Sequence, residues 1–331
     1  MKIFLVGNKG PMGPILESLL KRSDIQIVGL LTKEVSLKRK IKDSIKSSLA
    51  FFNITLGNSF ELKDLYEDFP NPIRIAKKNK IPIYSSKVLK TSVFKSALIS
   101  LKPELIIMAG FHKLIPDSLL DIPKRGFINF HPSLLPKYRG GTPNRWVLFN
   151  DEKESGVTAH FVDKSFDTGK IILQDKFPIE DDDNLGDLET KSALLMANLS
   201  NEIITRSLKA PLASLPQDNS ISSYDKSFKG VHVKLNPNYS FKETNNQLRA
   251  IQPKSGISFD FQNLSFCIWK IKEMNIDLKT DESLFILNGC LVFKLSDCFI
   301  ALEEFLFKGK VVNSNQIIEH YKLRERLKNL S

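Results

Sequence analysis

Leu105-Ile106-Ile107-Met108 is apolar at every position, and this constrains the fold more than any other stretch of the chain. Side chains along a strand alternate between its two faces, so a strand with no polar face needs cover on both sides. Two further runs share this character, Ile3-Phe4-Leu5-Val6 after Lys2 and the stretch from Ile25 to Leu31. Between them Ile15, Leu16, Leu19 and Leu20 repeat at helical spacing. Apolar strands alternating with amphipathic helices describe an α/β domain, Rossmann-like, with a mostly parallel sheet.

The same pattern predicts helices near Ile73 to Lys80, Val93 to Leu101 and Pro116 to Leu120, with strands at Ile81 to Tyr84 and Phe127 to His131. Val157 to Val162 and Ile171 to Phe177 are extended, and a helix from about Leu185 to Leu208 closes the first domain. Thr32 to Asp68 is less regular. It opens on a basic cluster (Lys33, Lys38, Arg39, Lys40, Lys42, Lys46), ends on Asp64, Glu67 and Asp68, and reads as a surface excursion with some helix. Residues 210–230 are rich in Ser, Pro, Asn and Asp, the composition of a linker, and divide a domain over 1–209 from one over 231–331. In the second, a helix near Phe241 to Ala250 precedes short apolar runs at Phe266 to Ile271, Leu284 to Leu287, Leu291 to Leu295 and Phe299 to Phe305. Short strands separated by turn residues describe a smaller β-rich domain of barrel-like character.

A chain of 331 residues is long enough for two buried cores. Its net charge of +11 is diffuse: from Ser207 onward 17 Lys and Arg face 13 Asp and Glu. Such an excess suits either anionic substrates or a Lys-rich solvated surface. Cys267, Cys290 and Cys298 show no CxxC spacing, which argues against a disulfide framework or a zinc site and for a reducing, cytoplasmic setting. The apolar run after Lys2 is too short for a secretion signal, and no run approaches the ~18 residues of a membrane span. Gly7, Gly10 and Gly13 are spaced GxxGxxG rather than GxGxxG, with Pro11 and Pro14 inserted, which argues against a dinucleotide site.

The chemistry concentrates in Asn129-Phe130-His131-Pro132-Ser133-Leu134-Leu135-Pro136-Lys137-Tyr138-Arg139-Gly140. Period-two alternation puts Asn129 and His131 on one face of a strand and Ile128 and Phe130 on the other. Pro132 cannot donate to the sheet, so the strand ends beside the histidine. A second segment, Gly156-Val157-Thr158-Ala159-His160 and then Asp167-Thr168-Gly169, adds a loop carboxylate next to a small residue and a glycine. That loop can approach a buried histidine with little steric cost. His160 reads as a packing residue on a strand, and the His112 side chain as exposed.

These two segments, in this order and spacing, resemble the folate-dependent formyltransferase family. The resemblance is plain from about Leu101 to Phe177 and fainter at Leu248-Arg249-Ala250. It implies a catalytic domain over 1–209, an acceptor-binding domain over 231–331, and 10-formyltetrahydrofolate as co-substrate without a metal. It further implies Asn129, His131 and Asp167 as catalytic residues. Met108, Gly110, Phe111, His112, Lys113, Leu114 and Phe166 would cradle the pteridine ring. Ser133 and Arg139 are candidates for substrate contact, Arg139 equally for holding its turn.

Family members differ in the amine they formylate. Gly7-Asn8-Lys9-Gly10 in place of a Gly-Ser-Asn phosphate loop, together with a second domain, argues against glycinamide ribonucleotide. The methionyl-tRNA members carry a β-barrel second domain, but their Gly-Arg-Gly turn is missing here. Ile251-Gln252-Pro253-Lys254 stands where they have Trp-Pro. An amino-sugar nucleotide is therefore expected ahead of initiator tRNA. Other amines, plain hydrolysis of the donor and a non-catalytic ligand-binding relative are the remaining alternatives, and the intact trio weighs against the last. A chain cut after Ser207 is expected to lose formylation of tRNA, with transfer to a small acceptor able to survive the cut.

Overall fold

A computed structural model describes residues 1–33, 69–225 and 227–330. The basic excursion from Thr32 to Asp68 therefore lies almost wholly outside the described residues.

The first sheet is built from β1 (Lys2–Gly7), β2 (Gln26–Thr32), β3 (Ile83–Ser85), β4 (Leu105–Ala109), β5 (Phe127–His131), β7 (Glu154–Phe161) and β8 (Ile171–Pro178). A two-residue strand, β6 (Arg139–Gly140), lies outside it. The order across the sheet is β3-β2-β1-β4-β5-β7-β8, with the first five strands parallel and β7 and β8 antiparallel. The apolar run of β4 is covered on both sides. Leu105, Ile107 and Ala109 join one core with Ile3 and Leu5, while Ile106 and Met108 join another with Phe4 and Val6.

The first core is roofed by α1 (Met12–Leu19) and by α6 (Leu185–Lys209), which presents Met196, Leu199, Ile203 and Ile204. Asn184 and Asp187 form a reciprocal capping box at the start of α6. The second core takes Phe94 and Leu98 of α3 (Ser92–Leu101) and Leu119 of α4 (Asp117–Leu120). Two helices complete this domain, α2 (Pro72–Lys78) and α5 (Pro143–Phe149); the sequence pattern missed α5. Two of the early glycines serve close packing: a Cβ on Gly7 would stand 2.4 Å from the Ala109 carbonyl oxygen, and one on Gly13 would stand 1.9 Å from that of Pro70.

After α7 (Phe241–Arg249), the second domain is a mostly antiparallel sheet curled into a half-barrel. Its strands are β10 (Ile257–Phe261), β11 (Leu264–Met274), β12 (Leu284–Leu287), β13 (Cys290–Lys294), β14 (Phe299–Phe307), β15 (Lys310–Asn313) and β16 (Asn329–Leu330), with α8 (Ser314–His320) against them. Three hairpins close on two-residue turns with both φ positive, Gln262-Asn263, Asn288-Gly289 and Lys308-Gly309. This twist suits the right-handed coil of paired strands.

One apolar core crosses the boundary between the domains, joining Val147 and Leu148 of α5 and Leu185 and Leu188 of α6 to Leu248, Ile251 and Ile257. Arg249 reinforces it by donating to the carbonyls of Asp183 at 2.7 Å and Glu180 at 2.8 Å. The connecting segment is no loose tether. Leu215 exchanges two 2.8 Å backbone hydrogen bonds with Ile171, and β9 (Tyr224–Asp225) pairs in parallel with β6. Its polar composition reads as a linker because these contacts use backbone and side-chain amides rather than apolar surface.

Candidate active site

The sheet reverses its direction of growth at β1, whose neighbours are β2 and β4, and a crevice opens beyond the carboxyl ends of such strands. There a cleft of about 700 Å³ is lined by Asn8 to Pro11 after β1, Gly110 to Ile115 after β4 and Asn129 to Pro132 at the end of β5. Gly140 to Arg145, Ser165 to Asp167, Tyr224, Glu189 and, from the second domain, Lys254 also line it. Its size falls within the usual range for small-molecule sites.

β5 brings Asn129 and His131 to this cleft on one face, with Ile128 and Phe130 packed on the other. Asp167 reaches them from the loop between β7 and β8. Its Oδ1 lies 3.3 Å from Asn129 Nδ2 and 3.4 Å from His131 Nδ1, and its Oδ2 accepts from the Gly140 amide at 3.0 Å. The three residues expected to carry the chemistry thus meet around one carboxylate oxygen.

His131 Nε2 lies 2.8 Å from the Tyr138 carbonyl oxygen, which can only accept, so this nitrogen carries a hydrogen. In the neutral ring Nδ1 then turns a lone pair towards Asp167. Burial pushes the His131 imidazole below the usual histidine range, against the pull of Asp167 and the Tyr138 carbonyl, so the ring is neutral near pH 7. Burial alone would raise the Asp167 carboxyl. The neighbouring His131, with His160 and the Gly140 amide, outweighs it and holds the group at about 2.

His160, expected only to pack, belongs to the same cluster. Its Nδ1 donates to the Phe161 carbonyl at 2.8 Å, which leaves Nε2 to accept from Asn129 Nδ2 at 3.1 Å. This fixes the orientation of the Asn129 amide. One amide hydrogen goes to His160, and the other meets Asp167 at a length that an incoming oxygen can displace. The signal was present in the sequence, since β5 and β7 pair Asn129 opposite His160, but that register cannot be read without the partner strand.

The Asp167 loop is tightly defined. Asp167 adopts φ +57°, a left-handed conformation that Asp tolerates better than most residues. A Cβ on Gly169 would stand 1.7 Å from the Phe161 carbonyl oxygen, so only glycine lets the loop turn back there. Thr168 Oγ1 donates to Asp163 at 2.8 Å, and the Gln217 amide donates to the carbonyls of Asp167 and Gly169, each at 2.8 Å.

Met108, Gly110, Phe111, His112, Lys113, Leu114 and Phe166 all line the cleft. His112 is exposed, as expected, and Lys113 Nζ is tied back to the Ser86 carbonyl at 3.1 Å. Neither Ser133 nor Arg139 lines the cleft; Ser133 departs from the expected substrate contact, while Arg139 takes the second of its two expected roles and holds its turn. Ser133 is fully buried and donates to the Lys137 carbonyl at 2.8 Å, shaping the turn that delivers the Tyr138 carbonyl to His131. The buried Arg139 guanidinium spends its hydrogens on Gln217 Oε1 at 2.7 and 3.1 Å and on Asn219 Oδ1 at 2.9 Å. Both are polar because the turns they hold are polar. Among the described residues no group of three or more His, Cys, Asp and Glu side chains is arranged to hold a metal ion, and no helix is long and apolar enough to cross a membrane.

An α/β sheet with an amide, an imidazole and a carboxylate converging at its switch-point crevice defines a site suited to moving a small group between two bound molecules. The chain belongs to the formyl transferase family, whose model, described as "Formyl transferase", matches residues 27–202. A methionyl-tRNA formyltransferase of Staphylococcus epidermidis is 36% identical over 185 residues, 56% of this chain and 60% of the relative. The chain thus spans about 60% of the length of that relative. A methionyl-tRNA formyltransferase of Desulforamulus reducens is 30% identical over 244 residues, 72% of this chain and 77% of that one. Among solved structures, an N-formyltransferase from Helicobacter canadensis, described in complex with folinic acid and dTDP-3-aminofucose, matches with a TM-score of 0.64 and 21% identity. It covers 91% of this chain and 98% of its own, a likeness of fold through both domains.

Proposed function

We propose that this chain transfers the formyl group of 10-formyltetrahydrofolate to a primary amine, with an amino-sugar nucleotide as acceptor. The observation that carries the reading is the approach of Asn129 Nδ2 and His131 Nδ1 to a single Asp167 oxygen, at 3.3 and 3.4 Å, on the wall of a cleft. In the transfer, the amine nitrogen bonds to the formyl carbon and the carbonyl oxygen becomes an oxyanion. The bond from that carbon to the folate nitrogen then breaks, and the proton shed by the amine ends on the folate nitrogen.

Asn129 donates to the oxyanion, a contribution of about 3 kcal/mol for a well-placed donor. The facing lone pairs of His131 Nδ1 and Asp167 form a ready seat for the amine proton, and filling it turns a repulsive contact into an ion pair. From there the proton passes to the folate nitrogen. The apolar wall of Met108, Phe111, Leu114 and Phe166 suits a flat pteridine, with the glycine at 110 (φ +62°) letting the backbone turn close beside it. On the other side, the cleft is lined by Tyr224, by Arg145, which also donates to the Ala250 carbonyl at 3.2 Å, and by Lys254, which is paired with Glu189.

The sugar reading is supported by the fold shared across both domains with a protein described with dTDP-3-aminofucose. Initiator tRNA is the second reading, favoured by the names of the relatives at 30–36% identity. The test incubates the chain with 10-formyltetrahydrofolate and either a panel of amino-sugar nucleotides or charged initiator tRNA. Formylated product and tetrahydrofolate are followed by mass spectrometry. Transfer to a nucleotide sugar is expected, transfer to the tRNA alone would replace the sugar reading, and no transfer to any amine would end both.

A further inference from the structure

The segment between the domains does more than connect them. It runs back along the base of the cleft, and its polar groups are spent on the two stretches of chain that hold Asp167. On one side, Ser223 Oγ accepts from the Tyr138 amide at 2.7 Å, the Ser223 carbonyl accepts from the Arg139 amide at 3.0 Å, and β9 pairs with β6. This sets Gly140, whose amide holds Asp167 Oδ2. On the other side, Gln217 donates both amide hydrogens to the loop, one to the Asp167 carbonyl and one to that of Gly169. Arg139 then grips Gln217 Oε1 through two nitrogens. The carboxamide is therefore saturated, with its acceptor facing a buried guanidinium and its donors facing the loop.

We propose that Gln217 is a positioning residue for the transfer. By joining the buried Arg139 to the backbone of the Asp167 loop, it fixes the left-handed turn that aims the Asp167 carboxylate at His131 and Asn129. The proposal rests on the reading of Asp167 as part of the reacting machinery. The geometry makes the amide specific. A glutamate would still satisfy Arg139 and fill the same space, but it would set an oxygen against the carbonyls of Asp167 and Gly169 where two N–H groups now stand. An alanine would leave both the guanidinium and the loop carbonyls without their partner.

The test compares Gln217→Glu and Gln217→Ala with the parent chain and with Asp167→Asn. Measured quantities are kcat, the KM for 10-formyltetrahydrofolate, the thermal midpoint, and the titration of the Asp167 side-chain carboxyl by carbon NMR. The Asp167→Asn spectrum assigns that carboxyl signal. Both Gln217 variants are expected to lose turnover by up to about 100-fold, the scale of a ~1 Å misplacement, with the folate KM within about twofold of the parent. The Asp167 carboxyl should titrate closer to the ordinary carboxylate range, as it slips from His131, His160 and the Gly140 amide.

Gln217→Glu with parental turnover and an unmoved Asp167 titration would overturn the proposal. So would losses in the two variants that follow only the folded fraction. The two readings are separable. An active Asp167→Asn enzyme removes the catalytic role of Asp167, while the carboxyl titration still decides whether Gln217 holds the loop. An inactive Asp167→Asn beside a fully active Gln217→Glu would instead sink the positioning role alone.

Discussion

Replacing Asp167 by Asn keeps the shape of the side chain and removes its charge. Asn is as tolerant as Asp of the φ of +57° at this position, and its carbonyl oxygen can still accept from the Gly140 amide, so the loop should stay folded. The environment lowers the carboxyl from 3.8 to about 2, and at about 1.4 kcal/mol per unit this amounts to roughly 2 kcal/mol favouring the charged form in the native state. With a side chain only 10% exposed, little of this is lost to solvent screening. The sign follows from linkage. A carboxyl depressed on folding adds stability above its unfolded value near 4, and that stability drains away as the pH falls towards 2.

Urea unfolding of the parent at pH 6, 4 and 3 should therefore lose stability more steeply than Asp167→Asn, the two curves converging by roughly 1 kcal/mol over that window, with the rest of the difference lost below it. In single-turnover assays at neutral pH the variant should transfer formyl roughly 10²- to 10⁴-fold more slowly, the range for a lost proton-handling group. Turnover within a few-fold of the parent, or an acid slope unchanged by the substitution, would refute the reasoning.

Asn129→Ala should lower kcat by about 10²- to 10³-fold with little change in the folate KM, as steady-state kinetics would register, because its donor acts on charge that develops during reaction. Gly169→Ala forces a Cβ to within 1.7 Å of a backbone oxygen; it should lower stability by about 1–3 kcal/mol in thermal unfolding and turnover with it, since the same loop carries Asp167. Arg249→Met leaves the Asp183 and Glu180 carbonyls without their charged donor and should lower stability by about 1.5–3 kcal/mol per lost bond, read as a drop in the urea midpoint.

Asn129 and His131 were legible because a strand's alternation and the following proline both act within six residues. The doubly covered β4 was legible for the same reason: its signal is local and apolar. Asn288-Gly289 and Lys308-Gly309 carry the glycine of a tight hairpin turn, yet β15 escaped notice because Lys310–Asn313 is short and holds only two apolar residues, Val311 and Val312. Helix α5 was hidden by its opening, Thr142-Pro143, which looks like a continuing turn. His160 depends on a strand register, and Gln217 on a contact across 50 residues. Nothing in a polar stretch marks which of its amides will be buried against a distant loop. Arg139 left two readings open, an anion or its own turn, and its contacts with two neutral carboxamides favour the turn.

The threading of residues 212–225 past Asp167 alters where this protein can be cut or recombined. A break after Ser207 falls in the last turn of α6 and strips away Gln217, Asn219 and Ser223, so a fragment ending there should lose formyl transfer to any acceptor, large or small. An engineer grafting a foreign half-barrel to change the amine accepted would do better to place the seam beyond Asp225, where the last strand of the catalytic half ends.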